Sequence, residues 1–180
     1  AENLESVPVA VTALTAESAK QAGITDTTAI QQLVPGLQIN RSSNNNVTFI
    51  RGVGTAAGTV GNEPSVATFI DDVYILQNNA TIFEFNSVES IAVLRGPQGT
   101  LFGRNATGGA IQIFTKDPGP TPQVDMDLGY GNYNTVSGNL YASTPISDTL
   151  AVNFSGHFDK QHDGWGKNIN NNEDVFKSWG

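Results

Sequence analysis

The residues most suggestive of chemistry lie between Arg95 and Lys116, in the run RGPQGTLFGRNATGGAIQIFTK. Gly96, Gly99, Gly103, Gly108 and Gly109 fall inside it, Pro97 follows the first glycine, and Arg95 and Arg104 bracket its first part. Glycine permits positive φ and close approach of backbone to a ligand. Free N–H groups beside two guanidinium groups would suit an anion such as phosphate. A P-loop, however, requires Gly-Lys-Ser/Thr after a four-residue spacer, and this run has none. The dinucleotide spacing G-x-G-x-x-G is missing as well. Nucleotide binding is therefore a poor explanation of these glycines.

Other candidate chemistry is thinner. Asp71-Asp72 could be imagined as an acid pair, but neighbours on a strand point to opposite faces, and a tight turn explains the pair better. No nucleophile–base constellation is apparent, so no catalytic residue is assigned and the chain does not read as an enzyme. His157 and His162 are the only histidines and there is no cysteine. That excludes disulfides and thiolate metal sites, and neither a metal nor a cofactor is implied. The formal net charge is −8, which disfavours a nucleic-acid backbone as partner. Asn105-Ala106-Thr107 matches a glycosylation acceptor, a pattern short enough to arise by chance.

The elements that must position these residues are short and mixed. Val7 to Ala13 reads as a strand, and Thr15 caps a helix that ends by Gly23. Asp26 could cap a second helix over Thr27 to Leu33, stopped by Pro35-Gly36. Val47 to Arg51 reads as a strand. Val66 to Ile70 and Val73 to Ile75 flank Asp71-Asp72 as a hairpin. Ile91 to Arg95 and Ala110 to Thr115 complete the strands on either side of the glycines. Short strands mixed with short helices indicate a small α+β domain. Two long connections, Gly52 to Pro64 and Leu76 to Phe85, exceed the usual loop length and are candidates for recognition.

Taken together these features carry a resemblance. IAVLRGPQGTLFGRNATGGAIQIFTK resembles the signature of the plug domain of TonB-dependent outer-membrane receptors. The upstream stretches ENLESVPVAVTALTAESAKQAG, IQQLVPGLQI, VTFIRGVG and ATFIDDVYI follow in the order found in that family. The likeness runs from about Glu2 to Lys116. It implies a plug domain over residues 1–117, a small mixed sheet with short helices.

Downstream the composition changes. Pro118, Pro120 and Pro122 stiffen a linker over residues 118–122. From Gln123 onward apolar and polar residues alternate: Val124, Met126, Leu128 and Tyr130; then Val136, Gly138, Leu140 and Ala142; then Leu150, Val152, Phe154, Gly156 and Phe158. This period suits strands with one face on lipid and one on a polar lumen. A soluble sheet with one buried face gives the same alternation. Position directly after a plug signature favours the first reading: residues 123–180 as the first antiparallel strands of an outer-membrane β-barrel. Pro145 to Asp148 would be a short turn, Lys160 to Asn172 a long outer loop, and Val175-Phe176 the start of a fourth strand. So few strands cannot close a barrel, which takes at least about eight, and open edges cannot rest in lipid. The expectation is a truncated barrel.

The resemblance implies gated import. A plug fills a barrel of about 22 strands, and a scarce substrate such as a ferric siderophore binds outer loops and plug apices. TonB would grip a box peptide, expected upstream of Ala1, and remodel the plug. Arg95 and Arg104, costly to bury alone, would pair with carboxylates of the barrel wall, with the glycines turning the chain between them. Arg51, Gln77 and Asn78 are the candidate substrate-side polar groups, on apices Arg51 to Asn62 and Gln77 to Thr81. The implied location is the bacterial outer membrane, with lipid and the remaining barrel as partners. The alternative is a soluble plug-like binding or signalling module without transport. Further alternating segments beyond Gly180 would separate the two.

Overall fold

The computed structural model describes residues 10–24, 27–42, 45–55, 63–76, 87–103, 105–171 and 173–176. Contacts divide the chain into two units, Ala1–Lys116 and Asp117–Gly180.

In the first unit, strand β1 (Ala10–Thr15) leads directly into helix α1 (Ala16–Gln21). Thr15 caps it: the Ser18 N–H donates to Thr15 Oγ1 at 3.2 Å, filling a donor the helix start leaves free. Gly23, at φ +74°, ends it, and the Ile24 N–H returns to Ala19 O at 2.9 Å. Of the strand expected over Val7 to Ala13, residues 7–9 lie outside the described residues; from Ala10 the strand is present, and it runs two residues further, to Thr15. The second expected helix contracts to a single 3-10 turn, Ala29–Gln32. Its limit is Pro35: a residue before proline is pushed out of the α region, and the Leu37 N–H bonds to Val34 O at 3.1 Å instead. Asp26, its expected cap, lies outside the described residues.

A five-stranded sheet in the order β1-β7-β8-β5-β6 organises this unit. It is built from β5 (Val66–Ile70), β6 (Val73–Tyr74), β7 (Val88–Arg95) and β8 (Gly109–Thr115) besides β1. β5 and β8 run parallel and the other neighbours antiparallel. The expected Asp71-Asp72 hairpin is present, both residues at positive φ (46° and 64°), as a two-residue type I′ turn requires. A second sheet joins β2 (Leu37–Ser42), β3 (Asn45–Ile50) and β4 (Val53–Gly54). Arg51, expected within a strand, sits instead in the β3–β4 turn with Gly52, at φ 51° and 79°.

Alternation on the large sheet feeds two apolar clusters. Ile91 and Val93 of β7, Ile111 and Ile113 of β8 and Val66 of β5 join Ile24, Ile30, Val34, Leu37 and Ile50 in the main core. Each such aliphatic contributes about 1.5–3 kcal/mol on burial. The other set, Ala67, Ala106 and Ala110, packs with Phe69, Tyr74, Leu94 and Phe102. The sheet is thus covered on both faces, and the glycine-rich segment supplies part of the second cover.

The second unit is a three-stranded antiparallel sheet, order β11-β10-β9, from β9 (Gln123–Gly131), β10 (Thr135–Ser147) and β11 (Leu150–Gln161). Register brings the three apolar sets to one face. Leu128, Gly138 and Phe158 form one row; Val124, Ala142 and Phe154 form another. Asp125, Tyr141 and Ser155, and Asp127, Asn139 and His157, form rows on the opposite face. The apolar face lies open, with Leu128 76% exposed, Met126 64% and Phe154 63%, and on β9 and β11 the polar residues Asp125, Asp127, Ser155 and His157 are exposed too. The buried residues, Tyr141 at 2% and Ser143 at 5%, stand on the polar face. A water-soluble sheet with one buried face would cover its apolar side, and here that side is uncovered.

Two expectations for this unit are corrected. Pro145 is not in a turn; β10 continues to Ser147, pairing Pro145 with Ala151. The reason is local: β9 stops pairing at Ser143, so the missing N–H of Pro145 falls where β10 has a neighbour on one side only. Val175 does not extend the three-stranded sheet. β13 (Asp174–Val175) pairs with β12 (Gly166–Lys167) in a small separate hairpin that begins inside the long polar segment and ends just past it. These strands form no closed barrel.

Candidate functional site

The glycine-rich segment leaves the sheet at the end of β7 and returns as β8. Gly96, at φ +100°, makes the exit. Its N–H bonds to Gly108 O at 3.2 Å, and the Gln98 N–H bonds to Ala106 O at 2.8 Å. The two bonds close the excursion at its neck. A single helical turn, α2 (Gly99–Phe102), fills the excursion. Gly103, at φ +80°, ends α2, and its N–H bonds to Gly99 O at 3.1 Å. Pro97 is exposed and Gln98 is buried.

Close approach explains the last two glycines. A Cβ on Gly109 would lie 2.3 Å from Leu94 O and 2.8 Å from Ile50 Cδ1. A Cβ on Gly108 would lie 2.9 Å from Val53 O. The second contact brings β4, and so the Arg51 turn, against the glycine segment. The Gly108 N–H also bonds to Ser65 O at 2.8 Å. Ser65 in turn meets Thr55, with its N–H on Thr55 Oγ1 at 3.0 Å and the two hydroxyls 2.7 Å apart.

The opposite side of the segment is held by aromatic packing. Phe102 stacks at 5.1 Å on Phe69, which lies 5.5 Å from Tyr74, within the range of favourable ring pairs. Asn105 Nδ2 donates to the Tyr74 hydroxyl at 2.8 Å. The end of β8 is clamped too. Asp71 accepts the Thr115 N–H at 2.8 Å and the Thr115 hydroxyl at 2.7 Å. Nothing in the sequence flags this clamp or the Ser65 junction, because the partners lie 44 and 10 residues apart.

The charged residues singled out from the sequence stand as follows. Arg95 is part-buried, and its Nε–H donates to Ala10 O at 3.4 Å across the β1–β7 pair. Arg51 is exposed in its turn, and its backbone N–H bonds to Gly36 O at 2.7 Å. That turn is stiffened by Phe49, whose ring lies so close over Gly54 that a Cβ there would sit 2.3 Å from Cδ1. Arg104, Gln77 and Asn78 lie outside the described residues, as do residues 56–62 of the first expected apex and the whole of the second. Among the described residues no group of three His, Cys, Asp or Glu is placed to hold a metal.

Residues 3–110 match the family model described as the TonB-dependent receptor plug domain. The chain belongs to that family. Among relatives of the plug family, the pesticin receptor of Yersinia pestis is 35% identical over 144 residues, 79% of this chain and 21% of the relative. The catecholate siderophore receptor Fiu of Escherichia coli K12 is 29% identical over 154 residues, 85% of this chain and 20% of the relative. Among solved structures, the ferric yersiniabactin uptake receptor FyuA from Yersinia pestis superposes with a TM-score of 0.77 at 31% identity, covering 95% of this chain and 27% of that one. The chain thus spans about a fifth to a quarter of the length of the receptors it matches. The plug fold, a mixed sheet with few short helices followed by antiparallel strands, is shared with them. These relatives carry the names of receptors, not of enzymes.

Proposed function

We propose that this chain is the gating plug and the first wall strands of an outer-membrane receptor that imports a scarce complex, a ferric siderophore being the leading class. The observation that carries the reading is the single alignment to FyuA, which runs through plug and strands alike over 95% of the chain. The exposed apolar face of β9–β11 supports a place in lipid. A soluble signalling module would leave that face in water, where contiguous apolar surface of this extent is rare.

In this reading TonB engages peptide ahead of the plug and remodels it. Arg95 and Arg104 hold the plug by meeting carboxylates of the enclosing wall, with Gly96, Pro97, Gly99, Gly103, Gly108 and Gly109 shaping the chain that carries them. Arg51, Gln77 and Asn78 face the incoming substrate, whose oxygen-rich surface suits polar donors. The test is uptake by the full-length receptor, expressed in a strain deleted for its own receptors and supplied with labelled ferric siderophores, haem, cobalamin or oligosaccharides. TonB-dependent accumulation of a ferric siderophore is expected. Failure to accumulate any of the four would overturn the proposal.

A further inference from the structure

The apolar face of the three-stranded sheet carries one charge. Asp125, Asp127 and Asp159 all stand on the other face, and Lys160 alone is charged on this one, in a chain whose formal net charge is −8. Lys160 pairs with Val136, which pairs with Tyr130. The three make the last row on this face, followed only by the Gly131–Thr135–Gln161 row and the turn Asn132–Asn134. The Tyr130 hydroxyl donates to Asn134 Oδ1 at 2.5 Å, which holds the ring at that edge. Residues 118–120 of the linker and 145–151 line one groove at the opposite end of the sheet.

The distance between the ends fits a membrane. Leu150 and Lys160 share a face of β11 and are ten residue steps apart, or about 34 Å at ~3.4 Å per step. A tilt of about 45° reduces this to ~24 Å, the height of the apolar band of an outer-membrane barrel. Lysine is costly on a lipid face near the midplane and close to neutral at its edges. Its stem covers apolar surface while its ammonium reaches out of it, and tyrosine rings rest at headgroup level.

We infer that the Tyr130–Val136–Lys160 row is a seat for the phosphate of an anionic lipid headgroup, at the membrane interface remote from the linker. The inference rests on the membrane reading proposed above. It adds a ligand class and a residue, Lys160, which attracts the headgroup while Tyr130 packs beside its glycerol region.

The test uses the full-length receptor in a cysteine-free background, reconstituted in vesicles of phosphatidylcholine and phosphatidylglycerol in which only one lipid carries bromine. A bimane label on Val136→Cys reports the neighbours of the row. Quenching by brominated phosphatidylglycerol should exceed its share of the lipid about fivefold, the equivalent of about 1 kcal/mol for a lysine at an anionic surface. Lys160→Gln should bring the ratio to about one, and Lys160→Arg should keep it. No preference in the parent, or a preference that survives Lys160→Gln, overturns the seat. A second label on Met126→Cys separates the two claims. Quenching there by deep-brominated phosphatidylcholine upholds the membrane reading even if the seat fails. No quenching there removes both.

Discussion

Three glycines of one segment should respond to alanine in a defined order, because the structure gives each a different physical task. At Gly109 a methyl group would meet Leu94 O at 2.3 Å, and the backbone is at φ +147°. The obstacle is a main-chain carbonyl of the paired strand, so no rotamer relieves it. Overpacking of this kind costs about 1–3 kcal/mol and strained φ a further ~1–3 kcal/mol, about 2–6 kcal/mol together. Gly96 is at φ +100° with nothing within 4 Å of a built Cβ, leaving strain alone at about 1–3 kcal/mol. Gly99 has neither constraint and opens α2, where alanine is the better helix former by up to ~1 kcal/mol. Amide hydrogen exchange across Val88–Thr115 in the full-length receptor reads these costs directly, since exchange follows the free energy of local opening. Gly109→Ala should speed it by at least about thirtyfold, at roughly tenfold per 1.4 kcal/mol. Gly96→Ala should fall between, and Gly99→Ala should exchange like the parent or more slowly. Gly109→Ala within a factor of two of the parent, or Gly99→Ala as the most damaging change, would refute the reasoning.

Two further changes probe the clamp and the outward face. Asp71→Ala removes both acceptors of Thr115 and should cost about 1–2 kcal/mol of plug stability; a double-mutant cycle with Thr115→Val, read by urea titration, should show as coupling only the share of the hydroxyl bond, because valine keeps the backbone N–H that Asp71 also accepts. Met126→Arg places a charge in a middle row of the exposed apolar face and should lower barrel stability by about 2–4 kcal/mol. Asn139→Arg on the polar face should leave it nearly unchanged. Heat-modifiable mobility on gels compares the two, and equal damage would count against an outward lipid face.

Much of this architecture is legible in the residues because short-range rules govern it. Thr15 and Gly23 bound α1 by capping chemistry that needs no distant partner. Asp71-Asp72 between two β-branched runs announces its turn. The strands on either side of the glycines are apolar on alternate positions and read easily. Where prediction strayed, tertiary context decided. Leu37–Ser42 carries a weak strand signal, with polar Gln38, Asn40 and Ser42, yet Leu37 enters the core and pairing with β3 recruits the rest. Ile30, Leu33 and Val34 suggested a helix of two turns, and Pro35 allowed one. Pro145 looked like a breaker until the length of β9 left it room. At the candidate site, the glycines and Arg95 were visible as a pattern. Their reasons were not: Leu94 O, Val53 O and Ser65 O are backbone atoms that only folding brings near.

The placement of Phe49 over Gly54 has a consequence for recognition. The two-residue turn carrying Arg51 has an aromatic plate on one flank and a backbone tether to Gly36 on the other, so its φ and ψ are settled when the domain folds. A ligand arriving at this guanidinium would have only side-chain torsions left to arrest. The entropy of fixing the main chain has already been met by core formation, leaving more of the contact energy for discrimination. If Arg51 meets substrate as proposed, enlarging residue 54 would weaken capture by displacing Phe49 and the turn beside it, without touching the guanidinium itself.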